Sequence, residues 1–292
     1  MIPGRFEYHR PASLGEAIAL LAQHGEESRV LAGGHSLIPM MKLRLAQPSH
    51  LVDLQSIAGL KGIREEGGAI VIGAMTTQAE LLASALVAAK APVLHEAAKL
   101  IADPQVRYCG TIGGNVANGD PGNDMPALMM ALGASYVAQS AKGERRLDPR
   151  QYYQAPFQTV LAEGEILTAI QVPAWPKGHG YAYEKMKRKV GDYATAAAAV
   201  LLEMSGGNCK RAAIALTNVA GTPIYAAAAA KALEGSRVAA ADIARAGDAA
   251  MAASDPVSDL RGPVEFRRHV TGVVTRRAIA RAVERAGQGG RS

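Results

Sequence analysis

Two glycine-rich segments, Ala32-Gly33-Gly34-His35-Ser36 and Thr111-Ile112-Gly113-Gly114-Asn115, carry the residue types that hold an anion. Adjacent glycines have no Cβ, so their N–H groups can approach a phosphate oxygen closely and turn through positive φ. Ser36, Thr111 and Asn115 add side-chain donors, and a pyrophosphate suits such a nest. Taken singly, either segment also reads as a plain turn between elements. The common nucleotide fingerprints are missing. There is no GxxxxGK followed by Ser or Thr, and Gly110-Thr111-Ile112-Gly113-Gly114 is not GxGxxG, so P-loop and Rossmann sites both lose support.

Asp124 stands just before an apolar stretch, where its carboxylate can cap a helix or accept hydrogen bonds from ribose hydroxyls. Lys185, in the alternating Tyr181-Ala182-Tyr183-Glu184-Lys185, can aim an ammonium at a phosphate or a flavin, or sit on the surface. Metal chemistry is not expected. Cys109 and Cys209 make no CxxC and read as unpaired thiols in a reducing cytoplasm, and the seven histidines show no HExxH or other ligand spacing. The chain therefore holds no metal or iron-sulfur cluster by itself in this reading.

The formal charge of +6 fits nucleic acid, an anionic membrane or an acidic protein as partner. Part of the excess is Arg267, Arg268, Arg276, Arg277, Arg281 and Arg285, interleaved with Val270, Val273, Val274, Ile279 and Val283 at helical spacing. That pattern describes a mostly solvated helix face, and no reading motif beside it supports nucleic-acid binding. The first residues lack the basic start and apolar run of a signal peptide, so export is not expected. The longest near-apolar run, Tyr193 to Leu202, is half of the roughly 20 residues that span a bilayer.

The elements that must position these residues follow from local patterns. Ser13 and Glu16 have capping-box spacing ahead of Leu14, Ala17, Ile18 and Leu21, so a helix begins there. Strands are expected over 29–32, ending in Gly33-Gly34, and over 50–54, which makes residues 1–57 an α/β unit. A middle α/β unit over 58–177 starts with a buried-type strand at 69–74 and a second capping box, Thr77 to Glu80. It continues through the second glycine segment, a helix from 125 to 132 stopped by Gly133, and strands near 135–139 and 167–172. After the Pro- and Gly-rich stretch at 173–180, residues 178–292 read as an α+β unit, with a hairpin turning at Gly206-Gly207-Asn208 and alanine-rich helical segments. With 49% hydrophobic and only 4% aromatic residues, the core is predicted to consist of small, closely approaching side chains.

In combination and order, these segments resemble the FAD-binding medium subunits of the molybdenum hydroxylase (xanthine dehydrogenase) family, most closely the aerobic molybdenum-copper carbon monoxide dehydrogenase branch. The resemblance runs nearly end to end. It rests on Ile2-Pro3-Gly4, on 32–36 continuing through Leu37-Ile38-Pro39-Met40-Met41-Lys42, on Ile72-Gly73-Ala74-Met75-Thr76-Thr77 and on Ile101-Ala102-Asp103-Pro104-Gln105. It continues in 111–115, in Gly119-Asp120-Pro121-Gly122-Asn123-Asp124-Met125-Pro126-Ala127-Leu128, and in Gly191-Asp192-Tyr193-Ala194-Thr195-Ala196.

The resemblance implies an α+β, vanillyl-alcohol-oxidase-like (PCMH-type) FAD-binding fold, with two N-terminal α/β subdomains around FAD and a C-terminal α+β domain. It implies that the backbones of Ala32, Gly33, Gly34, His35 and Ser36 and of Thr111, Ile112, Gly113, Gly114 and Asn115 wrap the pyrophosphate. Asp124 would meet the ribose and Lys185 would lie near the flavin ring. Tyr193 looks like the aromatic residue set against the isoalloxazine, although an ordinary core tyrosine is the alternative.

By the same resemblance, the partners are a large subunit carrying a molybdenum-copper-pterin cofactor and a small iron-sulfur subunit with two 2Fe-2S clusters, assembled as a dimer of heterotrimers. This chain would contain no catalytic residue for CO oxidation. It would relay electrons through FAD, which takes them singly and gives them up in pairs, to a quinone-type acceptor. The location implied is cytoplasmic, at the inner face of the cytoplasmic membrane, with peripheral contact to anionic lipid. The same relay in an enzyme for a purine, an aldehyde or an aromatic acyl thioester, and a flavin-free anion-binding scaffold, are the rival readings.

Overall fold

A computed structural model describes residues 2–288; Met1 and residues 289–292, the end of the third expected unit, lie outside it. Three sheets carry the fold. The first is parallel: strand His50–Asp53 lies between Glu7–His9 and Ser28–Leu31. Parallel neighbours need crossover connections. Helix Leu14–His24 lies on the first crossover and buries Ala17, Ile18 and Leu21 in one cluster with Val52 and Leu54. Ser13 Oγ accepts from Glu16 N as the capping box requires, but Glu16 reaches back to Ala12 N instead of Ser13 N, so only half of that box forms. At Thr77 and Glu80 both halves are present.

The second sheet orders its strands Ile63–Glu66, Ala69–Gly73, Ile166–Pro173, Ser135–Ser140 and Gly143–Leu147, and every pairing is antiparallel. Its two edge strands were not legible from apolar alternation. They carry Arg64, Glu65 and Glu66, and Glu144, Arg145 and Arg146, the charged side chains that keep an exposed edge from pairing with another chain.

Helix Asp124–Leu132 is buried on all sides, as its apolar sequence demands, and packs against both the middle sheet and the third sheet. Gly133, at φ +68°, supplies the left-handed C-terminal stop. The third sheet runs Gly180–Met186, Ala196–Ser205, Asn208–Thr217 and Ile224–Tyr225. Its central alanines are buried on both faces. Ala197, Ala199 and Leu201 join the core around helix Asp124–Leu132, whereas Ala196, Ala198, Val200 and Leu202 join the core under helix Val264–Gln288. One hydrophobic core thus spans the middle and third sheets, which holds the chain segments at 100–124 and 185–193 in register with each other.

Five of the six C-terminal arginines stay partly or fully exposed, as a mostly solvated face requires, and most of them are also paired within the fold. Arg267 is buried and donates to Val257 O and Asn218 O. Arg268, Arg276, Arg281 and Arg285 pair with Asp255, Asp248, Glu184 and Glu96 respectively, and of the six only Arg277 lacks an ion pair among the described residues. The helix lies along the sheet, so most of its charge is matched within the fold. No helix among the described residues is long and apolar enough to cross a membrane.

Candidate functional site

Strand Ser28–Leu31 runs directly into the first glycine segment, and Thr111 is the N-cap of the short helix Ile112–Ala117. The two regions come together at Gly33. A Cβ there would stand 2.2 Å from Cys109 O and 2.8 Å from Gly110 Cα, an approach of backbone to backbone that only glycine permits. Beside this contact opens a cleft of about 820 Å³, within the range of small-molecule sites. Ala32, Gly33, Gly34, His35, Ser36, Thr111, Gly114, Asn115, Asp124, Lys185 and Tyr193 all line it. Ile112 and Gly113 do not: Ile112 is fully buried in the core, and Gly113 lies against Ala74 behind the wall.

The two glycine segments differ in what they can offer a ligand. Among the described residues, the N–H groups of Gly33, Gly34, His35 and Ser36 have no protein acceptor. Gly34, at φ +76°, takes the left-handed conformation from which successive amides can form an anion nest. In the second segment four of the five amides are already used, and only Thr111 N has no acceptor among the described residues. Ile112 N donates to Thr76 O, Gly113 N to Ala74 O, Asn115 N to Thr111 O, and Gly114 N to Thr111 Oγ1. Thr111 and Asn115 line the cleft, their side-chain oxygens accepting from Gly114 N and Met125 N, while the backbone of Ile112 and Gly113 anchors the segment to Thr76 and Ala74.

Two further polar groups point to an absent partner. Gln78 is 2% exposed with neither amide atom hydrogen-bonded, and Asn118 Nδ2 is buried without an acceptor; both residues line the cleft. A buried amide left unpaired costs about 1–3 kcal/mol, so orphaned groups on a cleft wall fit a ligand that completes them. Nothing in local sequence marks these residues: Gln78 opens an ordinary short helix and Asn118 ends one.

Asp124 and Lys185, read from the sequence as separate contacts, form one buried group. Lys185 Nζ donates to Asp124 Oδ2 at 2.7 Å, and Tyr183 OH donates to Oδ1 at 2.5 Å. Asn123, not Asp124, occupies the N-cap position, so capping is not what holds the carboxylate. The Lys185 and Asp124 side chains are 1% and 6% exposed. Removing one partner of such a pair typically costs about 3–5 kcal/mol. Burial, reinforced by the Asp124 carboxylate, raises the Tyr183 phenol well above its ordinary range, so it remains a donor. Lys185 and Lys187 both also reach Leu100 O, at the C-terminal end of helix Pro92–Leu100, where the helix dipole favours cations. Burial, with Lys185 beside it, lowers the Lys187 ammonium below its usual range.

Tyr193 is no core residue: its side chain stands on the cleft wall, 42% exposed. Its ring leans on Gly122, where a Cβ would come within 2.9 Å of Cδ1, and the Arg261 guanidinium lies 5.8 Å from its centroid. Partial burial and the neighbouring Asp120 carboxylate push the phenol up to about 12. Burial likewise raises the Asp120 carboxyl, opposed by the Gly122 N–H at 2.8 Å. Ala102, on the cleft lining, sits at φ +43°, a conformation that costs a non-glycine residue about 1–2 kcal/mol and that clusters at ligand sites.

Four uncommitted amides, a recessed carboxylate and a half-exposed tyrosine thus line one cleft of small-molecule size. Residues 4–175 match the family described as the FAD binding domain in molybdopterin dehydrogenase, and residues 181–282 match the CO dehydrogenase flavoprotein C-terminal domain. The chain belongs to this family of FAD-binding subunits, and FAD is its cofactor. It is 58% identical to the carbon monoxide dehydrogenase medium chain of Afipia carboxidovorans, over 98% of this chain and 99% of that one. It is 49% identical to the medium chain from Hydrogenophaga pseudoflava, over 96% and 97% of the two chains. The crystal structure of the cyanide-inactivated Cu,Mo-CO dehydrogenase contains a chain that superposes with a TM-score of 0.96 at 58% identity, covering 98% of this chain and 100% of that one.

Proposed function

We propose that this chain is the flavin-bearing relay of a carbon monoxide dehydrogenase. The observation that carries the reading is the row of uncommitted N–H groups at residues 33–36, opening into a cleft on a chain so similar to carbon monoxide dehydrogenase medium chains. FAD, when bound, supplies the exchange between single-electron and paired-electron transfer. The N–H groups of residues 33–36 hold the pyrophosphate, assisted by the Thr111 hydroxyl and the Asn115 amide. Asp124 accepts from ribose hydroxyls, with Tyr183 and Lys185 fixing its orientation through its two oxygens. Tyr193 stands against the ring system, and the Gln78 and Asn118 amides complete their hydrogen bonds on the ligand.

In this reading residues 1–57 and 58–177 enclose the cofactor and 178–292 form the C-terminal domain. Electrons arrive from a small subunit with two 2Fe-2S clusters, reduced in turn by a large subunit with a molybdenum-copper-pterin cofactor, and leave to a quinone-type acceptor. The assembly is a dimer of heterotrimers in the cytoplasm, working at the inner face of the membrane. The net charge of +6 suits an anionic surface, although the C-terminal arginines, matched to carboxylates, do not supply the patch. The test is the visible spectrum of the purified native complex before and after CO. Flavin and iron-sulfur bands that bleach, with one large and one small partner on a gel, are expected. Flavin without bleaching would move the substrate elsewhere in the family.

A further inference from the structure

The fold gathers three histidines that are far apart in the sequence. His9 ends strand Glu7–His9, His24 is the last residue of helix Leu14–His24, and His50 opens the central strand His50–Asp53. Parallel pairing sets Glu7 opposite His50, and the two-residue period of a strand puts Glu7 and His9 on one face. One ring nitrogen from each histidine lies within 4.8 Å of the other two. His9 Nε2 and His50 Nδ1 are 3.0 Å apart, the His24 ring stacks on His50 at 3.7 Å between centroids, and Glu7 Oε2 lies 3.6 Å from His50 Nδ1. All three imidazoles are half-buried, and the FAD cleft, which Gly25 and Ser28 beside them help to line, includes none of them in its lining.

Close packing of three imidazoles is poor use of an apolar core, and each ring keeps at least one nitrogen that can act as a lone-pair donor when neutral. Three nitrogens and a carboxylate form a ligand set preferred by zinc and its first-row neighbours over magnesium or calcium. A tetrahedral centre with bonds of about 2.0–2.1 Å needs ligand atoms about 3.3 Å apart. The His9 and His50 nitrogens are already close to that separation. The stacked His24 ring must turn about its Cβ–Cγ bond to aim its lone pair inward, which its half-buried position at a helix end allows.

We infer that His9, His24 and His50, with Glu7 as fourth ligand, form a structural site for a divalent metal ion of the zinc type. The ion would staple the outer strand, the first helix and the central strand of the sheet whose other edge runs into Gly33. It takes no part in electron transfer, and the inference stands apart from the CO reading.

The test uses the native complex carrying a histidine-free affinity tag, treated with chelator, equilibrated with dilute zinc chloride by dialysis and measured for zinc by mass spectrometry. Wild type is expected to retain about one zinc per copy of this chain more than complexes with His9→Gln or His24→Gln, as loss of a ligand from a four-coordinate site implies. Equal flavin content in all three establishes that the variants fold. Zinc is also expected to raise the thermal midpoint of wild type more than that of either variant, since a ligand bound only to the native state stabilises it. Equal zinc content in folded wild type and variants, or an equal thermal shift in all three, would overturn the assignment.

Discussion

Replacing Gly33 with alanine tests the nest and the packing behind it at once. The new Cβ would sit 2.2 Å from Cys109 O and 2.8 Å from Gly110 Cα, where ordinary contacts are about 3.2 Å or more, and both atoms belong to backbone that cannot swing away. The loop must therefore retreat by about 1 Å, carrying the Gly33 and Gly34 N–H groups with it. A hydrogen bond to a charged group contributes about 1.5–3 kcal/mol, so losing two costs about 3 kcal/mol or more, about a hundredfold or more in FAD affinity. Gly15→Ala is the matched control. Gly15 lies in helix Leu14–His24 with nothing within 4 Å of the added methyl, and there the same change raises helix propensity by up to about 1 kcal/mol. The assay is flavin content per chain by visible absorbance after exhaustive dialysis, followed by FAD titration. Full flavin retention by a folded Gly33→Ala complex would refute the assignment of this loop to the pyrophosphate.

Two other variants probe the buried charges. Lys185→Met leaves the Asp124 carboxylate recessed with Tyr183 as its remaining side-chain donor, and a loss of about 3–5 kcal/mol is expected in chemical denaturation, partly restored when Asp124→Asn is added. Arg145 donates from Nε and Nη2 to Glu165, which lines the cleft, and these bonds hold the Glu165 carboxyl below its usual value of 4.5. A carboxyl lowered on folding contributes stability above pH 4.5 that is lost as pH falls through its folded value; Arg145→Gln is therefore expected to flatten the thermal midpoint's dependence on pH in that acid range.

What local sequence could mark was element type and the two glycine segments. Runs such as 69–74 and 125–132 are apolar because they are buried on both sides, and Gly133 and Gly206-Gly207 carry the positive φ that ends a helix or turns a hairpin. The charged edge strands at 63–66 and 143–147 escaped because their alternation is erased by the need to discourage edge pairing. The half-formed box at Ser13 shows that spacing brings two groups within reach without deciding which amide the glutamate takes.

In the cleft, Asp124 and Lys185 were legible as charged residues beside apolar segments, but their union was not, because it depends on helix Asp124–Leu132 packing against the third sheet. The same holds for Gln78 and Asn118, whose unpaired amides become meaningful only once burial is known. Motif spacing also hid the asymmetry between the glycine segments. Both look like nests, yet Thr76 and Ala74 consume the amides of Ile112 and Gly113, whereas all four amides of residues 33–36 stay uncommitted among the described residues.

The most direct measurement is an electron cryomicroscopy map of the native complex at a resolution that shows side chains. FAD is expected in the cleft, its pyrophosphate against the N–H groups of residues 33–36, its ribose at Asp124 and its ring beside Tyr193. A map with FAD bound elsewhere on this chain, or with residues 33–36 touching no phosphate, would contradict the account.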